Sequence, residues 1–185
     1  MSGTPLHAQP SPYVRTSWAT RPVGAVRHVT AQAVRNQDHA FFRLSWPDDT
    51  EDSGYGDGTT FPDAAAVIFQ LDEGASIETL GQAGKRINAW YWRANQRDGR
   101  GENLVTQGPA TETLAEGPAI ITQARWEDGR WQLVIARTLR SSGADNVRLR
   151  TRSRVKVGFA IWEGSNQERA GLHGQSRDWR ELRIE

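Results

Sequence analysis

An all-β fold, an antiparallel β-sandwich with long loops, is predicted by three observations. Roughly eight short segments carry strand-type apolar patterning, clusters of Gly, Asn, Asp and Pro separate them, and no segment sustains a helical apolar repeat. With 185 residues the chain is long enough for one well-filled core and short for two.

Residues 1–17, with Pro5, Pro10 and Pro12, read as an N-terminal arm that lies on a neighbour or is disordered, ahead of one domain over 18–185. Residues 23–34 are rich in β-branched and small side chains. Asn36-Gln37-Asp38 supplies a turn, and 39–46 alternate, with Phe42, Leu44 and Trp46 on one face and Phe41, Arg43 and Ser45 on the other, so a hairpin is expected. Residues 47–60, rich in Asp, Gly and Thr, form a loop, and Ala64 to Phe69 is an apolar run of the buried-strand type. Residues 87–94 alternate again, with Ile87, Ala89, Tyr91 and Arg93 opposite Asn88, Trp90, Trp92 and Ala94. At least one aromatic of this strand must therefore leave the main core and line a second surface. Residues 95–116 are polar and contain Gly99, Gly101, Gly108 and Pro109, which reads as a partner-binding loop or a lid. Residues 120–127 and 130–137 flank Asp128-Gly129, the pair that suits a type I′ hairpin turn. Further strands are expected at 154–162 and 179–184.

Composition narrows the chemistry. Lys and Arg number 23 against 22 Asp and Glu, a formal charge of +1, so no global field favours nucleic acid or an anionic membrane. Lys85 and Lys156 are the only lysines. Cysteine is absent, which excludes disulfides, cysteine-held iron-sulfur clusters and covalently attached haem. No apolar run approaches the ~20 residues needed to cross a bilayer, so any membrane link is expected through a partner. The first residues lack an apolar signal core, which gives a cytoplasmic expectation, with a periplasmic location as the alternative for a processed or co-exported chain.

Eight tryptophans can fill a core, wall a planar ligand or stack on sugar rings. Asp48, Asp49, Glu51, Asp52 and Asp57 crowd one Gly-containing loop. Their spacing is not that of an EF-hand, and the reading as a solvated loop stands beside calcium binding. Hydrolase, phosphate-loop, dinucleotide and zinc-protease motifs are missing, and His7, His28, His39 and His173 are too scattered to predict a metal cluster. One segment stands out: Phe159-Ala160-Ile161-Trp162-Glu163-Gly164-Ser165-Asn166-Gln167-Glu168-Arg169-Ala170-Gly171-Leu172-His173 runs an apolar strand into a polar loop that ends in one possible metal donor.

Three segments, in order, resemble a known family. They are Phe42-Arg43-Leu44-Ser45-Trp46-Pro47-Asp48-Asp49-Thr50 with Phe61-Pro62-Asp63-Ala64-Ala65-Ala66-Val67; Ala89-Trp90-Tyr91-Trp92-Arg93-Ala94; and Gly158 to Arg169 with Trp179. The family is that of the haem b-binding γ subunits of ethylbenzene dehydrogenase, dimethylsulfide dehydrogenase, and selenate and chlorate reductases. The resemblance implies a β-sandwich holding a non-covalent haem b. Such a subunit sits beside a molybdopterin catalytic subunit and an iron-sulfur subunit and relays electrons to or from an external carrier. It further implies methionine and lysine axial ligands, and here those positions are Leu80 and His173. His173 retains a nitrogen donor and Leu80 removes a donor, leaving a five-coordinate haem on His173, a sixth ligand recruited from His28, His39 or Lys85, or a haem-free subunit. Trp90, Trp92 and Phe159 are expected to wall the slot, and Arg93, Lys85 and Arg169 to pair with propionates. A haem-free structural subunit and a carbohydrate-binding β-sandwich module are the competing readings.

Overall fold

Strand β4 (Ala64–Gln70) organises the fold, because apolar residues on both of its sides require cover on both faces. The computed structural model describes residues 1–96 and 98–185. In chain order it contains β1 (Ser2–Gly3), a 3₁₀ turn at Leu6–Ala8, α1 (Pro12–Ser17), β2 (Thr30–Arg35), β3 (His39–Pro47), β4, β5 (Ile87–Arg93) and β6 (Arg100–Thr106). There follow β7 (Thr113–Leu114), β8 (Ile120–Trp126), β9 (Arg130–Thr138), β10 (Ser153–Trp162), β11 (Gly174–Gln175) and β12 (Arg180–Ile184). The strands pair antiparallel in the order β1-β11-β10-β4-β5-β6-β8-β9-β3-β2, with β12 on β10 and β7 on β6. The result is one curled antiparallel sheet, the all-β architecture expected.

The hairpins follow their turn residues. Asn36 Oδ1 accepts from the backbone N–H of Asp38 and His39 at 2.9 and 2.8 Å, closing the β2–β3 turn. Asp128 and Gly129 take φ of 51° and 69°, so the β8–β9 turn has the two left-handed residues of type I′. Phe42, Leu44 and Trp46 all point into the main core, as their alternation requires. There they meet Phe69, Trp90 and Trp92 from the opposite limb of the sheet. Phe42 packs edge-on to Phe69 and Trp90 at 5.6 and 5.7 Å, and Trp46 and Trp92 both pack on Trp131.

Two expectations need correction. Of residues 95–116, expected as a partner-binding loop or a lid, Arg97 lies outside the described residues and 100–106 form a strand. Within them β6 pairs with β5 through residues 102–106 and with β8 at Arg100 and Gly101, so this strand carries the sheet from one limb to the other. Its polarity concealed it, since Asn103 is buried by bonding Asn88 and Asn146, and Glu102 pairs with Arg93 at 2.9 Å. The arm is ordered against the chain itself. Strand β1 pairs with β11, Thr4 N–H donates to the His173 carbonyl at 2.9 Å, and Gln9 Nε2 donates to the Gly171 carbonyl at 2.8 Å. The arm also contains helix α1, begun by Pro12 at its first turn with Ser11 Oγ accepting from Val14 N–H. Six residues are too few to show the apolar repeat of a helix. No helix among the described residues is long and apolar enough to cross a membrane.

The crossing strand demands glycine at one point. A Cβ on Gly101 would stand 2.6 Å from the Tyr91 carbonyl oxygen and 2.8 Å from Ile120 Cγ2. Gly101→Ala is therefore expected to destabilise the protein by about 1–3 kcal/mol, read as a lower urea midpoint at unchanged m value.

Candidate functional site at the second face

The pleat sorts β4, β5 and β10 into two sets. Ala65, Val67, Phe69, Trp90, Trp92, Val157 and Ile161 face the main core, and Phe159 packs against it. Ala64, Ala66, Ile68, Ile87, Ala89, Ala160 and Trp162 face outward and build a second apolar cluster, with Tyr91, Leu104 and Trp179 packed against it. Two loops cover this second face. The first, residues 71–86, contributes Ala75, Ile77 and Leu80, and is held by Trp179 Nε1 donating to the Ala75 carbonyl at 2.9 Å. The salt bridge of Asp72 with Arg86 at 2.8 Å closes its base and holds the Asp72 carboxyl down at about 2. The second loop, residues 163–173, ends in His173.

Glu168 shapes the second loop. Its buried carboxylate accepts from Gly24 N–H at 2.7 Å, Ala25 N–H at 2.9 Å, Asn166 Nδ2 at 2.9 Å and Glu163 N–H at 3.1 Å. Backbone and amide donors thus satisfy both carboxyl oxygens. This explains Asn and Glu at those two motif positions as loop scaffolding, a role that strand patterning gave no means to find.

Between the loops and the strands lies an apolar cavity of about 160 Å³ lined by Ala66, Ile68, Leu80, Ala89, Tyr91, Leu104, Thr106, Glu112, Trp162 and Ala170. A smaller one of about 110 Å³, sharing Tyr91, Trp162 and Ala170, adjoins it and is lined also by Phe61, Arg93 and Arg169. Leu80 thus stands in the cavity wall, in the left-handed backbone region at φ 51°, a costly conformation for a bulky residue.

His173 packs its ring on Trp162 at 4.6 Å between centroids and is 2% exposed. Its Nδ1 lies 3.3 Å from the Ala170 carbonyl oxygen, the same oxygen that accepts from Trp162 Nε1 at 2.8 Å. A carbonyl only accepts, so this contact is made by the Nδ1-protonated tautomer, which leaves the lone pair on Nε2. Nε2 is buried and has no hydrogen-bond partner among the described residues. Burial lowers the imidazole to about 4, the Ala170 carbonyl only partly opposing, so the ring is neutral near pH 7 and competent as a metal donor.

The structure gathers some of the expected site residues and scatters others. Leu80, Arg93, Arg169 and the His173 loop come to this one face. Arg93 is bonded to Glu102, and Arg169 lies over Phe61 at 4.2 Å. Trp90, Trp92 and Phe159 do not wall the cavity. They lie on the opposite side of the same strands, because alternate strand residues point oppositely and theirs is the aromatic core side. Tyr91 and Trp162 take the walling role, and the aromatic that leaves the core is Tyr91. Lys85 is exposed in the Gln82–Lys85 turn, and neither it, exposed His28 nor His39 on β3 lines the cavity. None of the eight tryptophans is exposed, six being buried and Trp126 and Trp179 half-buried, so no tryptophan presents a fully exposed ring face to solvent.

The fold is thus an all-β domain with an aromatic core and, behind it, a small apolar cavity walled by Trp162, on which a neutral buried histidine packs. The chain belongs to the ethylbenzene dehydrogenase family, whose model matches residues 4–113 and 100–174. It is 34% identical over 176 residues to a Haloferax mediterranei protein bearing the name respiratory nitrate reductase heme subunit, covering 91% of this chain and 62% of that one. It is 36% identical to the chlorate reductase gamma subunit of Ideonella dechloratans, covering 86% and 66%, and 30% identical to the dimethylsulfide dehydrogenase gamma subunit of Rhodovulum sulfidophilum, covering 82% and 58%. The chain thus spans between 58% and 66% of the length of these relatives.

The buried histidine sets a pH dependence. Its folded-state value, about 4, lies below the ordinary 6.5, so below pH 6.5 the unfolded chain takes up a proton that the native state refuses. Stability is therefore lost as pH falls from about 6.5 to about 4, by up to roughly 3 kcal/mol from this group. Urea unfolding at pH 7 and pH 4.5 is expected to show a smaller acid loss for His173→Gln than for the parent chain.

Proposed function

We propose that this chain is the electron-transfer γ subunit of a molybdopterin oxidoreductase complex, relaying electrons between a partner's iron-sulfur clusters and an external carrier through a non-covalent b-type haem held at the second face. The observation that carries this reading is His173 Nε2, a buried nitrogen lone pair with no partner among the described residues, on a ring packed against Trp162, which walls the apolar cavity. The names of the relatives, two gamma subunits and a heme subunit, support it.

The residues present offer one nitrogen donor. His173 would supply the nitrogen, while Tyr91, Trp162, Ile68 and Ala89 would exclude water from the ring. Arg93 and Arg169, at the edge of the adjoining cavity, would meet the propionates. The bound group would supply reversible one-electron chemistry at its iron, and the protein supplies orientation and a low dielectric. Leu80 offers no donor, so the bound group's potential would be lower than with a methionine at that position.

A haem-free structural subunit is the second reading. It is favoured by the cavity volume of about 160 Å³, below the ~300 Å³ at which ligand pockets usually begin. A haem therefore requires the loop carrying Leu80 to move outward.

Titration of the purified chain with haemin separates the two. The first reading expects a one-to-one Soret band and a pyridine haemochrome of the b type, both lost or weakened at least tenfold in His173→Ala. No stoichiometric band, or an unchanged one in His173→Ala, favours the structural subunit or another ligand. In the haem-loaded protein, Leu80→Met is expected to give a low-spin six-coordinate spectrum and a higher midpoint potential.

A further inference from the structure

The end of the sheet where β3 stops, β4 begins and β10 stops brings three acids together. Asp48, Asp63 and Glu163 are 3%, 0% and 7% exposed, and one carboxylate oxygen from each lies within 4.8 Å of the others. They come from distant parts of the sequence, each next to the end of a strand, and only pairing of the strands assembles them. None of the three forms an ion pair among the described residues.

Their hydrogen bonds leave the cluster incomplete. Asp63 is held rigidly, its Oδ1 accepting from Gly164 N–H at 2.8 Å and its Oδ2 from Asp52 N–H at 2.9 Å and Trp131 Nε1 at 3.0 Å. Glu163 accepts from Ser165 Oγ at 2.8 Å. Asp48 accepts at Oδ1 from Thr50 N–H at 3.2 Å, but its Oδ2 is buried with no partner among the described residues. Burial, followed by mutual repulsion, raises Asp48 to about 8; burial above all raises Asp63 to about 7, and it raises Glu163 as well. Several buried carboxylates without a counter-charge are costly, and either protons or a cation must balance them.

We infer that Asp48, Asp63 and Glu163 form a calcium site that clamps β3, on one limb of the sheet, to β4 and β10 on the other. All three donors are hard oxygens with no nitrogen or sulfur among them, which selects calcium or magnesium over transition metals. Oxygens on opposite sides of one ion at the ~2.4 Å of calcium contacts stand ~4.8 Å apart, the outer limit of the spacing here. Rigidly held carboxylates without room for an intact hydration shell favour calcium over magnesium, which sheds its waters reluctantly. Trp131 touches Asp63 and lines, with Glu51, an open cleft at the same end, so the site lies one side chain below solvent. Because Glu163 opens the loop that ends in His173, the clamp also anchors that loop, although the calcium site stands whether or not haem binds.

The full chain, stripped with EGTA and then titrated, tests this without any variant. Calcium at about a hundredfold excess over its dissociation constant is expected to raise Tm by roughly 5–10 °C. Equilibrium dialysis is expected to find one calcium per chain. Terbium is expected to luminesce on excitation of tryptophan, with Trp131 against the site, and to be displaced by calcium at concentrations at least tenfold below those of magnesium. Asp48→Asn and Glu163→Gln should each weaken calcium at least tenfold and abolish the Tm shift. No change in Tm and no bound calcium up to millimolar concentration overturns the site, leaving protons to balance the trio. Equal displacement by magnesium overturns the choice of calcium, and terbium binding without calcium competition overturns both.

Discussion

Double-sided burial of β4 is the constraint on which the rest depends. From Ala64 to Phe69 no residue is more than 1% exposed, so two separate apolar clusters must form, one on each side of a single strand. The inner cluster is satisfied by aromatic side chains from the opposite limb of the sheet, and each such burial is worth roughly 1.5–3 kcal/mol. The outer cluster has no second sheet to meet. It is covered by loops 71–86 and 163–173, by Trp179 and by the N-terminal arm tied to the carbonyls of Gly171 and His173. Small residues at Ala64, Ala66, Ala89 and Ala160 keep the outer surface of the strands low, and Tyr91 and Trp162 rise from it as walls. The cavity, and the histidine packed behind its Trp162 wall, are consequences of a sheet face closed by loops rather than by strands.

The two ends of the β3–β9 ladder handle buried charge in opposite ways. At one end Arg137 is fully buried, donating through Nη2 to the Val147 carbonyl at 2.7 Å and lying over Trp90 at 4.5 Å. Burial lowers it to about 10, still charged at neutral pH, and carbonyl and ring quadrupole substitute for a carboxylate. Beside it Asn88, Asn103 and Asn146 bond in series at 2.8 and 2.7 Å and carry the connection to the Glu116 carbonyl, so β5, β6 and the segment before β10 share one polar network. At the other end stand three carboxylates with no such complement. Asp63 takes three donors there and Glu163 one, while Asp48 Oδ2 has none among the described residues.

The family resemblance and the structure bear on different questions. Membership in the ethylbenzene dehydrogenase family tells what kind of subunit the chain is, and the structure tells where Leu80 and His173 lie. The buried and neutral state of His173 keeps it suited to a metal. Leu80, in a left-handed conformation that a leucine does not prefer, stands in the cavity wall and carries no donor atom.

Much of this was legible in the sequence. The alternation over His39–Trp46, the Asp128-Gly129 turn, the apolar run at Ala64 and the exit of one aromatic from the Trp90-Tyr91-Trp92 run followed from side-chain periodicity and turn chemistry, which act over a few residues. Strand β6 was hidden because its polar residues are buried by bonding to partners far along the chain. The helix in the arm was too short for a period to show. Which aromatic walls the cavity, where Lys85 and the other histidines lie, and the meeting of Asp48, Asp63 and Glu163 were decided only by tertiary structure. Periodicity says that neighbours on a strand face opposite ways, but not which way is the core. That choice, and every contact between residues a hundred positions apart, is made when the sheet closes and burial selects one face for the aromatic core.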